Sequence, residues 1–420
     1  MAPPISATAV NDTSKRDDVG AFVSGSTLAG HSFAVSWFWR TLPAGMRRRW
    51  WLFRLFDLIV RHWPVFKRRH GILVVRMDGI GDMVLFRRTL DDYANVFDVE
   101  ISDITVLGCK SWGPIAAEIF AGYRLFMIDE HAFARRLFYR FGIGLMVRHL
   151  APAVTICDSY LRRAMMADSL VWMAAAPKSI TSLPYINEPT RTEFTYYLSQ
   201  VGQIIDTGTY PTHEIIRHYR FLSDYAGRKI RPKPPKISWR DTAPLLPDNG
   251  TPYAVLNPGS NEFGRRWPFE SYLGIAERLL DKGYRVVFVG GPDERAGDHH
   301  QRFGDDERVI DLIGKTSVPE LLDVLNHAAC VISNDTGPAH LSIALETPTV
   351  VVVGGGHFGS FVPYPKEVCP PNAKFAFEEM PCYHCFWRCP KRATKFDVFP
   401  CVSAVEVDTV WEAVTQLVDT

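Results

Sequence analysis

The chain has 420 residues, 47% of them hydrophobic and 22% charged, with a formal net charge of +1. That length exceeds what one hydrophobic core supports and suits two domains. The near-neutral balance provides no global field for nucleic acid. No stretch reaches the roughly 18 unbroken apolar residues of a membrane span, and the first thirty residues lack a secretory pattern, which predicts a cytoplasmic chain.

Residues 1–34 are small and polar without periodicity, the composition of a disordered tail. Residues 35–70 form a basic, aromatic segment: between 40 and 70 there are nine Lys or Arg against one Asp. Within it Arg47-Arg48-Arg49 precede Trp50, Trp51, Leu52, Phe53, Leu55, Phe56, Leu58, Ile59 and Val60, interrupted by Arg54 and Asp57 and closed by Pro64. This pattern fits either an amphipathic helix on an anionic membrane surface or a helix packed on the first domain with a solvated basic edge.

From Gly71 the texture turns to short apolar strands separated by helical stretches. Ile72–Arg76, Asp103–Leu107, Arg124–Ile128 and Ala153–Cys157 read as parallel strands of a domain spanning 71–225. Residues 226–250 carry five prolines and read as a linker. The alternation resumes over 251–420, with strands Tyr253–Leu256, Arg285–Val289, Arg308–Leu312, Ala329–Ser333 and Thr349–Val353. A helix is predicted over Phe269–Lys282, where Phe269, Tyr272, Leu273, Ala276, Leu279 and Leu280 recur at helical spacing before a Gly283 C-cap. The predicted class is α/β, two Rossmann-like parallel-sheet domains facing a cleft.

Chemistry concentrates in loops after strands, where ligands bind in open α/β sheets. Asn334-Asp335-Thr336-Gly337-Pro338-Ala339-His340 follows one strand. Pro338 suits the first helical position, and Thr336 and Gly337 leave backbone N–H groups at a positive helix end, a geometry that fits a diphosphate. Asp335 and Thr336 are equally N-cap residue types, and His340 suits either the site or a packed helix face. Asn257-Pro258-Gly259-Ser260 followed by Arg265 and Arg266 forms a phosphate clamp, Ser260 in its turn and two guanidinium groups beside it. Gly290-Gly291-Pro292-Asp293-Glu294 places a carboxylate where ribose hydroxyls bind. In the first half Asp78-Gly79-Ile80-Gly81-Asp82 lacks the third glycine of a dinucleotide fingerprint, because Val84 stands there. Asp82 is left as either a general base toward the cleft or a helix cap. Cys382-x2-Cys385-x3-Cys389-x11-Cys401 has the thiols for a tetrahedral zinc or iron shell, with His384 and Cys369 as reserve ligands; the bland alternative is four reduced thiols.

Taken in order, residues 72–85, 256–268, 286–294, 331–345 and 347–355 resemble glycosyltransferase family 9, the ADP-heptose:lipopolysaccharide heptosyltransferases. The resemblance runs from about Gly71 to the C-terminus and omits the first seventy residues. It implies a GT-B fold with the donor on the C-terminal half and the acceptor on the N-terminal half. It matches Asp82 to the base that deprotonates the acceptor hydroxyl, Asp335, Thr336 and Gly337 to the loop holding donor diphosphate and sugar, and Glu294 to the ribose ligand. Arg265 stands where the family usually has lysine against the leaving diphosphate. Similar cysteine clusters occur in the family, one branch being associated with iron. The implied function is inverting, metal-independent transfer of heptose or a similar sugar from ADP-heptose to a lipopolysaccharide-core or other glycan acceptor. The absence of a plausible Asp-x-Asp pair agrees with that mechanism, and a lipid-linked acceptor would place the enzyme at the inner face of the cytoplasmic membrane. Transfer to protein hydroxyls and a non-catalytic nucleotide-sugar-binding scaffold remain the alternatives.

Overall fold

The computed structural model describes residues 48–242, 245–246, 250–294 and 299–419. The predicted tail 1–34 and the start of the basic segment through Arg47 lie outside them. Two six-stranded parallel sheets form the frame. The first contains β1 (Ile72–Val75), β2 (Ile104–Cys109), β3 (Arg124–Ile128), β4 (Val154–Cys157), β5 (Lys178–Ser182) and β6 (Gln203–Ile205), in the order β3-β2-β1-β4-β5-β6. The second contains β7 (Tyr253–Asn257), β8 (Arg285–Phe288), β9 (Val309–Asp311), β10 (Cys330–Asn334), β11 (Thr349–Val352) and β12 (Ala373–Ala376), in the order β12-β11-β10-β7-β8-β9. Counted from its own first strand, each sheet has the same order, and each reverses direction between its first and fourth strands. Those two reversal points, β1/β4 and β7/β10, are where such sheets open a ligand crevice beyond their carboxyl ends.

The central strands are apolar runs buried on both faces, as in β1 and β8. Three strands escaped the sequence pattern for physical reasons. β5 is largely polar, β6 is a three-residue edge, and β12 follows a Pro370-Pro371 break. The Phe269–Asp281 helix buries Tyr272, Leu273, Ile275, Ala276, Leu279 and Leu280 against the second sheet, and Gly283 follows with φ +85°.

The proline-rich stretch after Gly227 has no regular structure, yet it is tied to both halves. Lys233 pairs with Asp92 at 2.8 Å, the Ile237 N–H donates to Ala344, and Trp239 and Arg240 both reach Asp323. The Glu214–Ala226 helix before it docks its start on the second half: the Glu214 N–H donates to the Ser360 carbonyl, and His213 Nε2 lies 2.7 Å from the Phe361 carbonyl. Burial holds the His213 imidazole down at about 3, so this contact is made by a neutral ring.

The Arg48–His62 helix packs on the first half against the Leu137–Leu150 and Ala167–Ala174 helices. Phe53, Arg54, Asp57 and Val60 face inward. Asp57, which in sequence only interrupts an apolar run, is the anchor: Arg140 donates Nε to one carboxylate oxygen at 2.8 Å and Nη2 to the other at 2.6 Å, both side chains 1% exposed. The apolar run from Leu52 to Val60 is thereby split between two faces of the helix. Leu52, Leu55, Leu58 and Ile59 point outward, 43–54% exposed. Burial raises the Asp57 carboxyl even against Arg140, so the pair gains little over an apolar substitute while its rupture strands a buried cation. Asp57→Ala is expected to destabilise the fold by about 3–5 kcal/mol, and Asp57→Leu combined with Arg140→Met by far less. Thermal unfolding of both variants reads the difference; equal losses would refute the account.

Candidate active site

The floor of the second half is an amide network at the β7/β10 reversal point. Parallel register sets Ser333 beside Asn257. The Asn334 Nδ2 donates to the carbonyls of Pro258 and Gly259 at 2.9 and 3.0 Å, while its Oδ1 accepts from the Trp267 N–H at 2.9 Å. Asn257 Nδ2 donates to Ser333 Oγ and Thr336 Oγ1, and the Tyr272 hydroxyl donates to the Asn257 carbonyl. Both asparagines are buried. They fix the 257–260 loop against the 334–337 loop, so the two phosphate-binding candidates of the sequence form one surface.

Asp335 accepts from Arg265, whose Nη2 reaches Oδ2 at 3.0 Å and the Asp335 carbonyl at 2.5 Å. His340 Nε2 lies 3.7 Å from the other Asp335 oxygen, and its Nδ1 lies 2.7 Å from the Tyr364 hydroxyl. Burial alone would raise the Asp335 carboxyl, but Arg265 and His340 outweigh it and hold it at about 2. His340 is buried, packed on the Tyr364 ring and within reach of Asp335. Thr336 caps the Gly337–Ala344 helix through its backbone, without a side-chain cap bond, and Pro338 occupies its first turn. The free N–H groups and positive dipole of that helix end face the same surface.

Three buried polar atoms on these loops, Ser260 Oγ, Asn257 Oδ1 and Arg265 Nε, make no hydrogen bond within the described protein. Such atoms cost about 1–3 kcal/mol each when left unmet, and a polar ligand on these loops would meet them. Glu294 completes it: the Gly291 N–H donates to Oε2 at 2.8 Å, and a Cβ at Gly259 would stand 2.6 Å from the same oxygen. Only glycine lets the 257–260 loop approach that carboxylate. Arg266 is spent on structure, donating to the carbonyls of Ser260 and Asp293.

Across the cleft, Asp82 lies in the first turn of the Ile80–Leu90 helix, whose N-cap residue, Gly79, receives no side-chain cap hydrogen bond. Beneath it Arg76, 1% exposed, holds Asp78 and Asp158 at 2.7 Å each. Asp158 also takes the Tyr93 hydroxyl and lies 2.8 Å from His218 Nδ1. Burial and the neighbouring Asp78 charge raise the Asp82 carboxyl to about 6, against the opposing pull of Arg76 and His340. A Cβ at Gly81 would stand 2.8 Å from the His340 ring, which is how close the two halves come. The arrangement sets a carboxyl whose proton affinity is raised by burial opposite Arg265 and the first turn of the Gly337–Ala344 helix.

Cys382, Cys385, Cys389 and Cys401 line one small cavity of about 10 Å³ with Gly355, Met380, Tyr383, Trp387, Phe399 and Pro400. As placed, no three His, Cys, Asp or Glu side chains among the described residues stand as a ligand group. Cys369 does not line that cavity; its thiol donates to the Pro370 carbonyl, which removes it as a reserve ligand. His384 is turned toward the Tyr210 ring instead.

Sequence reasoning missed Asn257 and Asn334 as framework, Arg76 and Asp158 as the base of Asp82, and Trp387, whose ring lies 4.6 Å from the Arg265 guanidinium. A signal existed for the asparagines, since a buried polar residue at the end of an apolar strand needs partners. Residues 209–386 match the model of glycosyltransferase family 9 (heptosyltransferase). Lipopolysaccharide heptosyltransferase 3 of Escherichia coli K12 is 30% identical over 105 residues, which is 24% of this chain and 30% of that protein; the sequence match thus spans under a third of its length. A family 9 glycosyl transferase structure from Veillonella parvula superposes with TM-score 0.62 at 17% identity, over 84% of this chain and 98% of that one. The structure of E. coli heptosyltransferase WaaC with ADP-2-deoxy-2-fluoro heptose superposes with TM-score 0.57 at 17% identity, over 82% and 99%. With two sheets of identical strand order facing across a cleft, the fold is GT-B, and residues 209–386 are similar to glycosyltransferase family 9, the heptosyltransferase family.

Proposed function

We propose that the chain is an inverting glycosyltransferase that moves a heptose-like sugar from an ADP-sugar to a hydroxyl of a lipopolysaccharide-core or other glycan acceptor. The observation that carries this reading is Asp82 facing the Arg265–Asp335–His340 cluster across the cleft. The acceptor oxygen attacks the anomeric carbon as Asp82 takes its proton, and the bond from that carbon to the diphosphate breaks on the opposite face. The departing charge meets Arg265 and the N–H groups that open the Gly337–Ala344 helix, so the chain's own cations and dipoles serve the leaving group without a metal step. Ser260 and Thr336 offer hydroxyls to the diphosphate, and Glu294 accepts from the ribose. The donor assignment leans on the ADP-sugar held by the relative named above.

A base raised to about 6 is ionised above that pH and protonated below it. Transfer efficiency, kcat/KM, is therefore expected to be flat above about pH 7 and to fall tenfold per unit below about 6. Asp82→Asn should lower kcat by about 10²–10⁴-fold while ADP binding, read by calorimetry, stays near wild type. Undiminished turnover would remove Asp82 from the chemistry, and binding without any transfer in wild type would favour the scaffold reading.

The four thiols around one cavity have the donor chemistry for a structural zinc or iron ion. Elemental analysis of protein purified without chelator is expected to find about one ion per chain, lost in a Cys382→Ser, Cys385→Ser variant. Metal-free protein of unchanged stability overturns it.

No described helix is long and apolar enough to cross a membrane. The outward Leu52, Leu55, Leu58 and Ile59 instead form a stripe along a docked helix, followed by exposed Phe66, Lys67 and Arg68. Apolar burial at an interface, with about 1 kcal/mol per basic residue near anionic lipid, suits reversible attachment beside a lipid-linked acceptor. Co-sedimentation with phosphatidylglycerol vesicles is expected to weaken with salt and vanish in Leu55→Asp, Ile59→Asp, which spares the Asp57–Arg140 pair. Equal sedimentation of that variant contradicts the attachment.

A further inference from the structure

The loop from Cys382 to Cys389 turns sharply. His384, Phe386 and Trp387 all have left-handed backbone, with φ of +67°, +53° and +60°. Non-glycine residues hold that conformation only where their surroundings over-determine it. Here the His384 and Phe386 N–H groups donate to the carbonyls of Gly355 and Gly356, which follow β11. The two successive aromatic side chains consequently serve different neighbours. Phe386 stacks on Tyr185 and Tyr210 of the first half, at ring separations of 4.8 and 4.5 Å. Trp387 lies over the glycines of the second half: a Cβ at Gly354 would stand 2.9 Å from its indole, and one at Gly356 would overlap it. Its other ring neighbours are Phe399, at 5.2 Å between ring centres, and His357, edge-on at 6.3 Å, and the Arg265 guanidinium lies 4.6 Å above the ring.

Arg265 therefore has two supports of different character. Asp335 grips one nitrogen and, left alone, would draw the cation onto itself. The indole face attracts the guanidinium without occupying any of its N–H groups, which lie in the guanidinium plane and stay available to phosphate oxygens. Arg265 Nε, buried and without a hydrogen bond in the described protein, is one such group.

We propose that Trp387 is a positioning residue that orients the Arg265 guanidinium toward the donor diphosphate. The pinned turn of the cysteine loop holds Trp387 in place. The inference rests on the nucleoside-diphosphate reading of the site and adds to it a residue from a different part of the chain.

Calorimetric titration of the full chain with ADP tests it. Trp387→Leu keeps apolar bulk against the glycines but removes the ring face, and is expected to weaken ADP binding about tenfold. Trp387→Phe should restore most of that loss. In an Arg265→Ala background Trp387→Leu should have no further effect, because the two residues act as one unit. Melting temperatures accompany each titration, and Trp387→Met replaces the leucine variant if the latter does not fold. A folded Trp387→Leu protein that binds ADP as tightly as wild type overturns the inference, as does an undiminished Trp387→Leu effect in the Arg265→Ala background. Wild-type protein that binds no ADP overturns the donor reading itself, a result distinct from either.

Discussion

Two helices pack side by side across the cleft with their first turns adjacent, and the proposed chemistry depends on that meeting. The Ile80–Leu90 helix presents its first turn from one half and the Gly337–Ala344 helix from the other, close enough that Gly81 lies against the His340 ring and Gly337 against Ile80. Both ends carry unpaired N–H groups and positive dipole charge, so bringing them together is unfavourable unless negative charge lies between. Asp82 and Asp335 supply it, one on each side, with His340 between them. The same positive convergence that needs two carboxylates also favours an anionic ligand.

Each half supports its side of this junction by a different device. Under Asp82 the first half buries charge: Arg76 binds Asp78 and Asp158, and Tyr93 and His218 complete the set. Buried charge is costly unless fully paired, but it also fixes the local field, and here it sets how readily Asp82 holds a proton. Under the anion site the second half uses neutral amides, Asn257 and Asn334, whose hydrogen bonds lock two loops without adding fixed charge. Arg265 is held there by a carboxylate and an indole.

Several parts of the chain serve the relation between halves rather than either one. The stretch around Lys233–Arg240 clamps Asp92 on one side and Asp323 on the other. The Glu214–Ala226 helix belongs to the first half by sequence, yet its start rests on Ser360 and Phe361. The cysteine loop reaches back to Tyr185 and Tyr210 through Phe386. These contacts tie elements of the two halves to one another at several separate points.

Sequence alone determined what is local. Apolar runs fixed β1, β7, β8 and β10 to within a residue or two, because parallel strands buried on both faces are built from near-continuous hydrophobic runs. Glycine, proline and acidic residues after those strands marked the loops that hold Asp82, Ser260, Arg265, Glu294 and Asp335, since turn chemistry is also a property of neighbours in the chain. Tertiary structure decided everything that depends on residues far apart. Polar β5 and the short edges β6 and β12 are strands only because a neighbour supplies their hydrogen bonds. Asp57 is an anchor only because Arg140, 83 positions away, is buried with it. Asp82 acquires its raised proton affinity from burial and from Asp78, against Arg76 and a histidine of the other sheet. Trp387 reads in sequence as one aromatic among cysteines, and it faces Arg265 only because β11 and its glycines bring that loop beside the end of β10. Periodicity records which residues are buried; which buried residues meet is set by strand order and by the closing of two sheets on one another, and neither leaves a mark on the local pattern.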